Sequence, residues 1–419
     1  MPRSFLPTRP VRGPFSPDFW RSPLRGPRFT SVLGVVLLAG VTILFVTGLL
    51  SYAAYNPDLA PVNDKTPGKG LLGFYLFPWP TDPPWLYRLT QGVHVTLGLV
   101  LVPVLLAKLW SVAPRLFTLP PARSLTHALE RISLLLLVGG ALFEFTTGVL
   151  NVQLDYVFPG SFYPLHFYGA WVFFGAFAAH AVLKAPVAVR NLRRMREGGG
   201  EDADGPAAPR PDPPTVSRRG ALGLVGGGSL LFLVTSAGRS FDAPLRETAV
   251  LTPHGGPEPG SGPGAFQINK TAAYAGIRAA ETNEAAWRLA VTGPTGTVRL
   301  GRAGLLGMPL HSVALPIACV EGWSTSDQWW RGVRLRDLAA LVGHDDPVDV
   351  FVESLQRHGA FRRGALRANQ VADPRSLLAL FVNGEELTLD HGYPARIIVP
   401  AAPGVLATKW VARLTFGEL

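Results

Sequence analysis

Cysteine and charge are both scarce in this sequence. Cys319 is the only cysteine among 419 residues, which excludes an internal disulfide framework and any metal site built from several cysteines. Only 16% of the residues are Asp, Glu, Lys or Arg, whereas soluble domains carry about 25%. Because 47% of the residues are hydrophobic, this deficit favours a chain that contacts lipid.

The positive charge is concentrated in the first half of the chain. Residues 1–238 contain 21 Lys and Arg against 12 Asp and Glu, whereas residues 239–419 contain 18 against 17. A nucleic-acid-binding protein would carry a basic stripe on its folded domain. The distribution therefore disfavours nucleic acid as a partner.

Five apolar runs approach the roughly 20 residues that a membrane-spanning helix needs. They are predicted at 30–51, 85–110, 132–150, 164–187 and 220–237. Eighteen Lys and Arg flank them on one side and three on the other, so the positive-inside rule places the N-terminus in the cytoplasm. We expect a multi-pass protein of the cytoplasmic membrane whose residues 239–419 lie outside.

The runs and their connections divide the chain into segments. In chain order we predict a basic cytoplasmic arm (1–29), a four-helix transmembrane domain (30–190), a disordered cytoplasmic linker (191–216), a fifth transmembrane helix (217–238), a Pro/Gly tether (239–265) and a C-terminal domain (266–419).

The fifth run opens with a pair of arginines. The stretch 217–222, which contains Arg218 and Arg219, resembles a twin-arginine export signal that is retained as a helix. Such signals carry domains already folded around a cofactor. The plainer alternative is that the two arginines only add to the cytoplasmic charge.

Four histidines fall in or beside the predicted bundle: His94, His127, His166 and His180. Ionisable side chains at membrane depth are costly and mark functional sites, and imidazole is a common haem ligand between helices. We aligned the second and fourth spans on their cytoplasmic lysines, Lys108 and Lys184. His94 is 14 residues from the first and His166 is 18 residues from the second, so the two lie within about 6 Å of each other in membrane depth. We predict a haem b between these two; the alternative is that the imidazoles hydrogen-bond Thr or backbone groups.

His180 raises the question of a second haem. It follows His166 by 14 residues, close to four helical turns, so the two share one face about 21 Å apart. The stretch 165–171 resembles formate-dehydrogenase-type cytochrome b subunits, whose fourth span carries two histidines at this separation. Those subunits have a further ligand in the first span. Since that histidine is absent here, a second haem depends on a partner such as His127.

Residues 266–419 alternate strand-like runs with turn residues. Strands are predicted at 287–291, 315–319, 348–352 and 395–399, with one helix at 335–342. A mixed α+β domain of about 150 residues is large enough to fold alone.

Cys319 closes one of these runs and precedes a polar, glycine-containing turn. A lone cysteine is usually an inert core residue. In an exported domain, however, a sole reactive thiol would be oxidised unless it were bound. A thiolate is a natural ligand for a soft or high-valent metal, which lowers its pKa.

Two segments resemble the molybdopterin-binding domain of the sulfite oxidase family. The first, 317–324, contains Cys319, and the second, 382–400, is followed by Lys409 and Trp410. The resemblance implies an oxo-molybdenum centre held by one molybdopterin, with Cys319 as the metal ligand. It further implies cofactor contacts from Asn269, Lys270, Ser354, His391, Arg396, Thr408 and Lys409.

One departure from that family bears on the substrate. Sulfite-oxidising members have arginines just after the metal cysteine to hold the anion, whereas this chain has Glu321 and Trp323 and no cation before Arg331. We therefore expect a neutral acceptor, such as a sulfoxide or N-oxide or a sulfoxide in a protein. Electrons would pass between the quinone pool, or another carrier, and molybdenum through the haem.

Two alternatives remain open. One is a sulfite-oxidising enzyme whose bundle is only an anchor. The other is a cofactor-free, membrane-anchored binding or assembly protein.

Overall fold

The computed structural model describes most of the chain. The described ranges are 13–59, 77–117, 124–152, 162–196, 211–241, 244–251, 266–357 and 361–419. Parts of the predicted arm, linker and tether, and the side chain of His127, lie outside these ranges.

Five long helices account for the N-terminal part. They are α1 (Pro27–Ala53), α2 (Leu86–Leu116), α3 (Leu125–Asn151), α4 (Tyr163–Arg196) and α5 (Arg218–Ala237). Each is long and apolar enough to cross a membrane by length and composition. The five predicted spans all fall on these helices, and most helices extend beyond the apolar run because charged residues can also be helical.

The chain forms two compact units, the first of which comprises 1–43, 98–146 and 169–232. Close helix packing in this unit depends on glycine. A Cβ at Gly140 would lie 3.1 Å from Cβ of Phe173, and a Cβ at Gly40 would overlap the Leu101 side chain. Small residues at such positions let apolar helices approach without a steric penalty.

The second unit comprises 44–97, 147–168 and 233–419, so it contains helical segments as well as the C-terminal domain. Aromatic rings hold its helical segments together. Tyr52 stacks on Phe167 with ring centroids 4.3 Å apart, and Tyr55 stacks on Tyr163 at 5.2 Å. Such aromatic pairs are worth about 0.5–1.5 kcal/mol beyond their buried area.

The C-terminal domain contains two five-stranded sheets. The strands are β1 (Leu289–Gly293), β2 (Gly296–Leu300), β3 (His311–Leu315), β4 (Gln328–Arg334), β5 (Val350–Ser354), β6 (Arg363–Leu366), β7 (Leu377–Val382), β8 (Glu385–Glu386), β9 (Arg396–Ile398) and β10 (Val411–Phe416). One sheet has the order β2-β1-β10-β5-β6; the other has the order β3-β4-β7-β8, with β9 also paired to β7. Only β1 and β10 pair in parallel, among the strands described.

One hydrophobic core serves both sheets. It includes Leu289 and Val411 from the first sheet and Val333 and Leu378 from the second, all fully buried. Burying a side chain of this size contributes about 1.5–3 kcal/mol. The mixed α+β prediction agrees with this architecture, and the predicted helix at 335–342 is observed as Leu335–Ala340.

The strand boundary at Cys319 was predicted wrongly. Strand β3 ends at Leu315, and Cys319 lies in the following loop. Next to it, Ala318 forms only isolated bridges, to Ser324 and to Pro403. The apolar run continues past the strand because Ala318 and Cys319 are buried in the loop, although neither belongs to a strand.

Candidate active site

Cys319 is held by a tight loop between β3 and β4. Its amide donates to the carbonyl of Trp323 at 2.8 Å, and its carbonyl accepts from the amide of Gly322 at 3.1 Å. Gly322 has φ +86°, a conformation that other residues adopt at a cost of about 1–2 kcal/mol. The backbone therefore fixes the direction of the thiol.

Polar groups surround the buried thiol. Sγ of Cys319 lies 3.5 Å from Oε2 of Glu321, which also accepts a hydrogen bond from Nε1 of Trp323 at 2.9 Å. Nδ2 of Asn269 lies 4.0 Å from the same sulfur. Burial, and next the carboxylate of Glu321, raise the pKa of Cys319 well above its ordinary value, so a thiolate here requires a cation or a metal to stabilise it.

Two cations lie close together beside the thiol-bearing loop. Arg396 is 2% exposed, and Lys409, which is half-buried, interacts electrostatically with Arg396, Lys270, Asp390 and Cys319. Burial lowers the pKa of Arg396 to about 9, and burial followed by Arg396 lowers the pKa of Lys409. In the described part of the chain neither cation forms a salt bridge, and Asp390 is the one carboxylate that acts on Lys409. Arg396, Lys409 and Lys270 therefore leave this group of residues with an excess of positive charge.

Two buried donors beside Arg396 and Lys409 lack a hydrogen-bond partner. Nε of Arg396 and Oγ1 of Thr408 make no hydrogen bond to the described residues. The other two Arg396 nitrogens donate to the carbonyls of His391 and Ala407 at 3.0 and 3.2 Å, which aims the guanidinium. Orphaned buried donors beside an excess of positive charge fit the phosphate and polar edges of a molybdopterin.

The side chains of Ser354 and His391 form hydrogen bonds with residues next to Arg396 and Lys409. Oγ of Ser354 donates to the carbonyl of Lys409 at 2.7 Å. The ring nitrogens of His391 lie 2.8 Å from Oγ1 of Thr388 and 3.2 Å from the carbonyl of Phe266. Both side chains thus position neighbouring groups in this structure.

Lys270 and Lys409 are joined through the backbone. Nζ of Lys409 donates to the carbonyls of Lys270 and Asp390 at 2.7 and 2.8 Å. Nζ of Lys270 reaches Oε1 of Gln356 at 3.5 Å. The residues 269–270 and 390–409, which are far apart in sequence, therefore meet beside Cys319.

The Cys319 loop also packs on helix α2. The Gln91 amide donates to the carbonyl of Val320, and a Cβ at Gly322 would lie 2.6 Å from Cβ of Val95. Tyr87 of α2 belongs to the same buried cluster as Ala318. The sequence pattern gave no signal for these contacts, because residues 227 and 229 positions apart carry no shared periodicity.

His94 directly precedes Val95, the α2 residue that packs on Gly322, and its ring lies close to that of His166. Their ring centroids are 6.2 Å apart with an interplanar angle of 88°. Nδ1 of His94 lies 3.1 Å from Oγ1 of Thr47 and 3.0 Å from the carbonyl of Leu44. Nδ1 of His166 lies 2.9 Å from Oγ1 of Thr147, so Nδ1 of both rings is occupied.

His180 belongs to the other compact unit. Its charged neighbours are Lys184 and Lys108. The described residues bring no second histidine side chain to it, and His127, its sequence-predicted partner, has a side chain outside the described set.

Arg239 was missed by sequence reasoning. It follows α5 directly, is fully buried, and interacts electrostatically with Glu321 and Cys319. The first cation that follows Cys319 in the sequence is Arg331. In the folded chain, however, Arg239, which precedes Cys319 by 80 residues, brings a positive charge to Cys319. Only the rarity of a fully buried arginine could have signalled it, and burial is not readable from one sequence.

Comparison with known proteins identifies the domain that carries this site. Residues 276–418 match the family model of the oxidoreductase molybdopterin binding domain. The chain is 31% identical over 156 residues to mitochondrial sulfite oxidase of Mus musculus, covering 31% of this chain and 29% of that enzyme. It is 36% identical over 107 residues to nitrate reductase [NADH] of Volvox carteri, covering 23% of this chain and 12% of the relative.

A shorter relative is matched over more of its length. The oxidoreductase YuiH of Bacillus subtilis is 31% identical over 108 residues, or 26% of this chain and 53% of the relative. The C-terminal domain therefore matches the molybdopterin-binding oxidoreductase domain and is similar to the corresponding part of sulfite oxidase. The chain spans less than a third of the length of the first two relatives.

Proposed function

We propose that this protein is a membrane-anchored molybdenum oxidoreductase that transfers an oxygen atom outside the cytoplasmic membrane. A haem b in its own helical bundle would exchange electrons between the quinone pool and the molybdenum. The observation that carries the proposal is the buried Cys319 thiol with an excess of positive charge beside it, in a domain that matches the molybdopterin-binding family model.

The residues around Cys319 suit molybdopterin. Cys319 would ligate the metal, Arg396 and Lys409 would neutralise the phosphate, and Thr408 would donate to the cofactor through its orphaned hydroxyl. When bound, the group supplies two-electron redox chemistry and an exchangeable oxygen at the metal. The polypeptide orients that group: Asn269 and Glu321 both lie within 4.0 Å of Sγ.

The geometry of His94 and His166 suits a haem iron between them. The two ring centroids lie 6.2 Å apart, and imidazoles from neighbouring helices are common ligands of haem iron. Hydrogen bonds at Nδ1 are the usual partners of a ligating histidine, because they set the tautomer that leaves Nε2 for the metal.

Contact between the Cys319 loop and α2 supports coupling of the two centres. Val95, which packs on Gly322, directly follows the proposed ligand His94. The hydrogen bond from Gln91 to Val320 joins the same two segments. Electrons would thus cross a short, packed path within one chain, without a separate carrier.

The proposed direction is reduction of a sulfoxide or N-oxide. Trp329, at the start of β4 after the Cys319 loop, is 56% exposed, and an exposed aromatic side chain favours an apolar or dipolar ligand over a hydrated dianion. The cytoplasmic N-terminus and the outside placement of residues 239–419 remain part of the proposal and rest on the distribution of basic residues.

Stopped-flow spectroscopy on detergent-purified protein tests the proposal. A soluble quinol should reduce a Soret-absorbing haem, and dimethyl sulfoxide or trimethylamine N-oxide should then reoxidise it with multiple turnovers. A sulfite-oxidising enzyme would instead reduce the haem when sulfite is added. Protein with neither molybdenum nor a Soret band would support the binding or assembly alternative.

A further inference from the structure

The Arg239 guanidinium makes no hydrogen bond in the described part of the chain. Its Nε and both terminal nitrogens make no hydrogen bond there, and the side chain is 0% exposed. Burying a guanidinium is costly when its donors make no hydrogen bond, even where a carboxylate lies nearby. Such donors require acceptors from a bound ligand, an ion or ordered water.

The backbone around Arg239 fixes it beside the Cys319 loop. The Arg239 carbonyl accepts from the amide of Ser324 at 3.2 Å. The next residue, Ser240, donates from Oγ to the carbonyl of Gly322 at 3.0 Å, and its own carbonyl accepts from Arg88. Two consecutive residues thus anchor this segment to the loop that carries the thiol.

Arg239 places a positive charge beside the Glu321 carboxylate, next to Cys319. Its side chain interacts electrostatically with both Glu321 and Cys319, and the Glu321 carboxylate lies 3.5 Å from Sγ of Cys319. The proposed metal position therefore has a guanidinium and a carboxylate as neighbours. A dianion would gain from the first and be repelled by the second.

We propose that Arg239 is the substrate-binding residue for the oxygen of a dipolar oxide. A sulfoxide or N-oxide has a negatively charged oxygen bonded to a positively charged sulfur or nitrogen. Arg239 would donate to the oxygen, and Glu321 would face the positive end. The inference rests on the proposed oxygen-atom transfer and adds to it a residue from outside the matched domain.

The overall reaction balances with the proposed electron source. The S–O or N–O bond breaks, the sulfur or nitrogen keeps the bonding electron pair, and the oxygen leaves as water. Two electrons from quinol, passed through the haem, and two protons complete the reduction. Arg239 stays protonated throughout, so it serves only as a hydrogen-bond donor and a positive charge.

The test measures oxide reduction by full-length, molybdenum-loaded protein with reduced benzyl viologen as donor. Dimethyl sulfoxide and trimethylamine N-oxide are the dipolar probes, and nitrate is the anionic probe. We expect R239Q to raise KM for both oxides about tenfold or more, since a charge-assisted hydrogen bond is lost, with molybdenum content unchanged. R239K should recover part of the effect, and E321Q should improve nitrate relative to the oxides.

R331Q is the matched control, because Arg331 is an exposed arginine on β4 and its loss should leave KM unaltered. Equilibrium binding of dimethyl sulfoxide, followed by tryptophan fluorescence, provides a readout that does not need turnover. The inference is overturned if R239Q binds and reduces the oxides as the wild type does. Loss of molybdenum in R239Q would overturn it too, by making Arg239 a cofactor ligand.

The two proposals fail in different ways. Viologen bypasses the haem, so a missing Soret band would refute the electron route and leave the oxide measurements valid. Wild-type protein that holds molybdenum but prefers nitrate to both oxides would refute the dipolar site alone. Wild-type protein without molybdenum would refute the proposed function itself.

Discussion

His94 and His166 lie with their ring centroids 6.2 Å apart and nearly perpendicular planes. Each ring is fixed through Nδ1 by a threonine hydroxyl, from Thr47 and Thr147 respectively. Hydrogen bonds to threonine and backbone groups are what the structural alternative predicted for these imidazoles. The proposed haem would have its iron between the same two rings, so spectroscopy must separate the two accounts.

Replacing either histidine should remove the haem. His94→Ala or His166→Ala is expected to abolish the Soret band of purified protein, because an iron with one strong ligand is lost from a bundle during detergent extraction. His180→Ala is the matched control, since His180 also lies on α4 but is not paired in the described structure. An unchanged spectrum in both ligand variants would contradict the assignment.

Cys319→Ser tests the metal ligand. Replacing the thiolate with a hydroxyl removes a soft anionic ligand, so viologen-linked turnover should fall by more than the roughly 10–100-fold typical of losing an outer-shell partner of a metal ligand, while the haem spectrum is unchanged. Normal turnover by this variant would show that the metal, if present, is bound elsewhere.

Arg396→Gln separates cofactor binding from protein stability. Buried cations without counter-ions destabilise the cofactor-free domain, so the variant should unfold at an equal or higher temperature than the wild type when it lacks cofactor. Its molybdenum content should nevertheless fall severalfold.

Arg302→Gln provides the comparison for Arg396. Arg302 is equally buried but forms an ion pair with Glu386 at 2.7 Å, and its replacement should lower the unfolding temperature while molybdenum content is kept. If both variants behaved alike, the positive cluster at Arg396 and Lys409 would have no special role in binding phosphate.

Gly322→Ala should slow electron transfer between the two proposed centres. The residue has φ +86°, and a Cβ would overlap Val95, so the Cys319 loop must move away from α2. Rapid-mixing measurement of haem reoxidation should show at least a tenfold lower rate. Adding Val95→Ala removes the overlap but not the strain in φ, so only part of the rate should return.

The topology has a direct test as well. An alkaline-phosphatase fusion after Ala237 should be active, because the positive-inside distribution places this point outside the membrane. A fusion in the 197–210 segment should be inactive. Reversed activities would place the C-terminal domain in the cytoplasm and rule out the proposed route from the quinone pool to an outside site.

Local patterns in the sequence were enough to find the separate parts of the site. Apolar length located the five helices, and separations of 14 residues from Lys108 and 18 residues from Lys184 brought His94 and His166 within about 6 Å of each other in depth. The residue types around Cys319 and Arg396 carried the resemblance to the molybdopterin domain. In each case the information lies within one helix or one short segment.

Contacts between distant segments were beyond this reasoning. Arg239 reaches Glu321 from the end of α5, and Val95 meets Gly322 across 227 positions; neither pair shares a periodic pattern. The end of β3 at Leu315 was misplaced because buried loop residues and buried strand residues have the same apolar composition. Tertiary packing, which a single sequence does not display, decides all three.

Metal analysis of the intact, detergent-purified protein is the most direct test of molybdenum bound through Cys319. Inductively coupled plasma mass spectrometry, with the chain quantified by amino-acid analysis, should give one molybdenum per chain in the wild type. A protein matured in a molybdenum-sufficient host that contained none would contradict the assigned centre and, with it, the proposed oxygen-atom transfer.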